Sequence, residues 1–145
     1  MTVCEALLPR PLLERASLRG NEYAWPIDAI PDVIEAGRSA NLVSIGGQLQ
    51  FRLTDGGTCE CYWVDVDTYR SVANDLPWDE RVQATAEEGL RQFAALQSRF
   101  DFEGEGRSSF AKDIADFEAN GGNLAETMCF VWYLKAKEKT SSGSE

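Results

Sequence analysis

Residues 48–65 constrain the fold more than any other part of the chain. Residues 48–54 alternate strictly: Leu49, Phe51 and Leu53 fall between Gln48, Gln50, Arg52 and Thr54. That period of two belongs to a strand with one buried face. Asp55, Gly56 and Gly57 form a hairpin loop, and residues 58–65 form the return strand. A two-residue loop would set Glu60 opposite Leu53 on the apolar face. A three-residue loop pairs Leu53 with Cys59, Phe51 with Cys61 and Leu49 with Trp63. It also sets Arg52 against Glu60 and Gln50 against Tyr62 on the other face. Only the three-residue loop sorts every side chain, and a glycine in the left-handed region closes it.

The flanking pattern supplies the other elements. Residues 42–45 read as a short strand, with Gly46 and Gly47 as a turn. Ile27, Ile30 and Ile34 give an apolar stripe for a helix over residues 27–38, whose start Pro31 can delay. Residues 77–100 form a second helix, with Asp79 and Glu80 in its first turn and Val82, Ala86, Leu90 and Phe93 on its buried side. Residues 109–119 form a third, closed by Asn120 and Gly121. Residues 127–134 are apolar on both faces, which marks an inner strand. Trp63 and Trp132 are expected in the core.

Together these predict an α+β fold: a mostly antiparallel sheet of about four strands with helices packed on one face. The domain spans residues 21–135, with 136–145 as a flexible tail. Residues 1–20 form an arm with no assigned element, because Pro9 and Pro11 interrupt its leucines.

Charge narrows the partners. The net charge is −10, and residues 21–134 hold 20 of the 24 acids but 8 of the 14 bases. Such a body repels phosphate backbones, so nucleic acid is not an expected partner. A cationic protein is. Acidity also serves solubility alone. No stretch matches the ~18–20 apolar residues of a membrane span, and the N-terminus does not read as a signal peptide. A cytoplasmic location is therefore expected.

Chemistry is restricted as well. The chain has no histidine, so histidine-based triads and cysteine–histidine pairs are excluded. It has no phosphate-binding glycine loop. Cys4, Cys59, Cys61 and Cys129 lack zinc-site spacing. Cys59 and Cys61 would stand roughly 7 Å apart on one strand face, beyond disulfide reach. The thiols are expected to be free and mostly buried, and no cofactor or metal is expected.

Carboxylates remain. Asp65 and Asp67 share one side of a strand end, where two acids could hold a divalent ion or share a proton. With Glu60 they are the candidate groups of a small carboxylate- or metal-dependent enzyme. The simpler accounts are solvated acids at a strand exit and, for Glu60, a cross-strand pair with Arg52. Glu103 and Glu105, each followed by glycine, read as a polar interhelix loop. Tyr62 stands among acids and amides, a composition that suits a binding surface. Glu60, Tyr62, Asp65, Asp67, Glu103 and Glu105 are thus the candidate partner contacts.

Residues 23–26, 46–51 and 55–63, including Tyr23, Trp25, Gly46, Gly47, Phe51 and Trp63, resemble small uncharacterised bacterial proteins. These are similar to immunity proteins of polymorphic toxin and contact-dependent competition systems. The resemblance covers residues 20–65 and implies a non-catalytic module that neutralises a toxin by binding it. It assigns a role to no particular residue. A third reading, an acidic mimic of DNA, would need carboxylates in two phosphate-like rows.

Overall fold

The computed structural model describes residues 4–138. The chain opens with a 3₁₀ turn at Cys4–Leu7, then α1 (Arg10–Arg15), β1 (Ser17–Arg19), β2 (Glu22–Pro26), a 3₁₀ turn at Ile27–Ala29 and α2 (Ile30–Ser39). The hairpin strands are β3 (Val43–Arg52) and β4 (Thr58–Asp67). Four helices follow: α3 (Thr68–Ser71), α4 (Trp78–Arg99), α5 (Phe102–Ser109) and α6 (Ala111–Ala119). A 3₁₀ turn at Leu124–Glu126 leads into β5 (Met128–Lys135). All strand pairs are antiparallel, in the order β1-β2-β5-β3-β4. The fold is α+β with five strands rather than about four.

The added strands come from residues 17–26. Edge strand β1 has three residues, too few for an alternation to show. The arm carries real packing: Leu8 enters the core, and the buried Glu5 carboxylate accepts the Leu134 N–H at 2.6 Å. Ala136 donates its N–H to Cys4 Sγ at 3.3 Å, so the first residue of the expected tail is tied down. Residues 139–145 of that tail lie outside the described part.

Gly46 and Gly47 are not a turn. β3 runs straight through them between β5 and β4, with a bulge at Ile45. They are glycines because neighbouring backbones crowd them. A Cβ on Gly47 would sit 1.7 Å from the Val131 carbonyl oxygen. One on Gly46, where φ is +141°, would sit 2.1 Å from that of Val66. The buried Thr68 hydroxyl lies against the carbonyls of Ser44 and Ile45 and occupies the acceptors that the bulge leaves free.

The hairpin register also differs from expectation. Phe51 pairs with Cys59, Leu49 with Cys61, Gln50 with Glu60 and Arg52 with Thr58. The loop therefore has five residues. Leu53 N–H donates to Gly57 O at 2.8 Å, and Asp55 Oδ1 accepts from Gly57 N–H at 2.9 Å. These local bonds remove Leu53 and Thr54 from the ladder. The shift is two residues, so the inward face is preserved. The pair of Arg52 with Glu60 does not form.

Helix α4 occupies residues 78–99 behind Pro77, and Ile27–Ala29 form a 3₁₀ turn before Pro31 admits α2. The supposed loop at residues 103–106 lies instead within helix α5, Phe102–Ser109. Its glycines concealed it, and one has a packing reason: a Cβ on Gly106 would press into the Phe51 ring at 2.3 Å. The main core lies between the helices and one sheet face. Trp25, Phe51, Phe93, Phe130 and Trp132 are its largest fully buried side chains. Cys59, Cys61 and Cys129 are buried, free thiols. Burial pushes Cys61 up to about 12 and Cys129 up to about 11, so both pack as thiols and not as nucleophiles. Among the described residues no helix is long and apolar enough to cross a membrane.

On α4, hydrogen bonds from Arg91 and Gln92 hold the Glu88 carboxylate down at about 2. A depressed carboxylate contributes stability that is present above its unfolded pKa near 4.5 and lost as pH falls toward 2. The pair is largely solvent-screened, so the effect is below about 1 kcal/mol. Glu88→Gln should flatten the acid limb of a urea-denaturation series between those pH values and leave the neutral limb parallel to the wild type.

Candidate docking surface

A second irregularity builds the candidate site. Leu49 pairs with Cys61 and Gln48 with Asp65, so residues 62–64 of β4 bulge out of the ladder. Val64 stays fully buried, while Tyr62 and Trp63 both turn outward, 71% and 36% exposed. Strict alternation would have buried Trp63, and the bulge overturns that expectation. On an edge strand, a bulge breaks the row of free backbone groups that would otherwise recruit another strand.

Trp63 is held firmly. Its indole N–H donates to Glu105 Oε1 at 2.8 Å, its ring stacks on Phe110 at 6.4 Å, and Tyr62 meets it edge-on at 5.3 Å. Tyr69, 57% exposed, follows on α3. Gln92 of α4 fixes where β4 ends: its Oε1 accepts the Asp67 N–H at 2.9 Å, and its Nε2 donates to Ser71 Oγ at 2.9 Å. Asp67 then caps α3 through the Arg70 N–H.

Between these elements lies a cavity of ≈ 390 Å³, bordered by Gln48, Tyr62, Asp65, Asp67, Tyr69 and Tyr133. The helices cover the other side of the sheet. Asp65 is an exposed residue, yet partial desolvation of its carboxyl and then neighbouring Asp67 raise its pKa. Tyr133 donates its hydroxyl to Glu22 at 2.6 Å, and its own pKa is raised by burial and by that bond.

The structure therefore gathers Tyr62, Asp65 and Asp67 around one cavity. Glu60 is exposed beside them, with Gln48 Nε2 at 3.4 Å from its carboxylate. Glu105 joins through Trp63. Glu103 does not: it is bound by Arg107, which also grips Glu118 with two bonds of 2.8 Å. Among the described residues Glu60, Asp65 and Glu105 form no ion pair, whereas Asp67 is paired with Arg70 at 3.3 Å. Sequence reasoning missed Trp63 and Tyr69. Tyr69 carried a signal, an aromatic two residues past an acid pair, but the bulge that exposes Trp63 left none.

Among the described residues no three metal-ligating side chains come together, and Asp67 already serves as a helix cap and an ion-pair partner. No protein-family model matches the chain, and comparison with curated proteins and with solved structures found no match.

Proposed function

We propose that this chain is a non-catalytic protein-binding module of the immunity or antitoxin type. It acts in the cytoplasm and takes a cationic toxin or effector onto the face formed by Tyr62, Trp63 and Tyr69. One observation carries this reading: Tyr62 and Trp63, exposed at an edge-strand bulge, and Tyr69 on α3 just beyond it stand near Glu60, Asp65 and Glu105, which form no ion pair among the described residues. Aromatic anchors supply apolar area with little rotamer entropy to lose. The free acids steer a basic partner toward them and set its register. The resemblance of residues 20–65 to immunity proteins supports the same class.

The test is co-expression with the product of the adjoining gene. The expected result is co-purification and restored growth of cells that this product alone inhibits. Asp65→Lys should abolish the protection without loss of folded protein, because the side chain is exposed. A neighbour that neither binds nor inhibits growth, or full protection by Asp65→Lys, would overturn the proposal.

A further inference from the structure

At one end of the sheet face opposite the helices, three arginines border one cavity, Arg15, Arg19 and Arg52. In the sheet, β1 and β3 are three strand steps apart, about 14 Å if it were flat. Yet Arg52 Nη1 on β3 donates to Ser17 O on β1 at 2.7 Å, and Arg19 Nη2 on β1 donates to Leu53 O at 2.7 Å. The sheet therefore curls, bringing β1 over its own open face toward the hairpin. Beneath this curl lies a cavity of ≈ 180 Å³, bordered by Arg15, Ser17, Arg19, Arg52 and Thr127, with the exposed Glu126 at its edge.

Arg52 is the key group. It is 6% exposed. Its Nε donates to Gln50 Oε1 at 2.9 Å, and its Nη1 also reaches Ser17 Oγ at 3.1 Å. Those bonds leave Nη2 with no hydrogen-bond partner among the described residues. No described carboxylate pairs with Arg52 or Arg19, and Glu126 pairs with none of the three arginines. A role as a clamp between β1 and β3 accounts for Nε and Nη1. It leaves Nη2, which is not enclosed, open to the cavity, and it leaves the guanidinium in no ion pair, although the Glu22 carboxylate lies near enough to favour its charge. Arg19 is locked by Leu53 O, Gly57 O and Thr58 Oγ1, so its charge is fixed beside the cavity. Arg15 stands at the rim, paired at 3.1 Å with Asp28.

We propose that this cavity is a binding site for a small oxyanion, with Arg52 Nη2 as its principal donor and Arg19 and Arg15 supplying field. An arginine edge matches the geometry of carboxylate and phosphate oxygens. The volume falls below the roughly 300 Å³ at which drug-sized ligand pockets begin, so a small ion is selected over a nucleotide. A body of net charge −10 disfavours diffuse anion binding, which makes any saturable uptake a property of a built site.

The experiment is a titration of the full chain with sodium phosphate and, separately, sodium acetate, against sodium chloride of equal ionic strength. Arginine Nε–Hε resonances and the thermal midpoint are followed. Saturable shifts of the Arg52 resonance beyond those in chloride, with a raised midpoint, are expected. Phosphate alone acting marks a free tetrahedral oxyanion; acetate acting equally marks a carboxylate, such as one borne by a peptide. Arg15→Gln should weaken binding several-fold and Arg52→Gln at least tenfold. The rim variant and the wild-type titration decide the matter even if the Arg52 variant does not fold. Equal responses to all three salts, or Arg15→Gln and a folded Arg52→Gln binding as the wild type does, would overturn the proposal.

Discussion

Gly47→Ala is expected to cost about 4 kcal/mol or more, enough to leave the domain unfolded or barely folded. The added methyl would stand 1.7 Å from the Val131 carbonyl oxygen. That oxygen belongs to backbone in the middle of the sheet, so no flexible side chain can give way. Relief requires β3 and β5 to separate at Gly47 and Trp132, their central pairing, and Trp132 is fully buried. Backbone clashes of this kind occupy the far tail of measured substitutions, and the whole stability of a domain is only about 5–15 kcal/mol. Urea denaturation, or soluble yield where the variant cannot be purified, provides the measurement. A midpoint equivalent to a loss below 1 kcal/mol would show that the two strands do not run as close as described.

The second large effect is on binding. Tyr62→Ala with Tyr69→Ala should weaken the partner complex by about thirtyfold or more. That corresponds to about 2 kcal/mol, the threshold for a hot-spot residue. Both side chains are more than half exposed, so removing them should leave the unfolding midpoint within about 0.5 kcal/mol of wild type. Stability kept and affinity lost would separate a docking role from a structural one. Trp63 is less suited to this test, because its bond to Glu105 and its stacking on Phe110 give it a part in holding α5 to the sheet edge.

The sequence made parts of this legible for identifiable reasons. Alternation in residues 48–54 announced β3, and the faces of β4 followed even though the loop was two residues longer than expected. That robustness comes from the period of two: a shift of two residues keeps every side chain on its side. The apolar run at residues 128–134 identified the inner strand β5. Elements were lost where backbone proximity outweighed local composition. Gly46 and Gly47 look like a turn, yet they are glycines because three strands crowd there. Gly104 and Gly106 look like a loop, yet Gly106 lets α5 lie on Phe51. The candidate site was half visible. Tyr62 fell on the expected side of β4, and Asp65 and Asp67 share a side as expected, but strict alternation sets that side with Trp63, and it is the bulge that brings the two acids round to Tyr62. Trp63 did not fall on its expected side, because a bulge consumes residues without altering composition. Glu103 is withdrawn by Arg107, four residues on, and the spacing that permits that pair was in the sequence.

The most direct test of the docking account is the association rate of the wild-type chain with its partner across a salt series, read beside an Asp65→Asn, Glu105→Gln variant. Unpaired acids that steer a cationic protein predict a steep fall in association rate with salt, a shallower fall for the variant, and nearly unchanged dissociation for both. An association rate independent of salt, or identical salt slopes for wild type and variant, would contradict it.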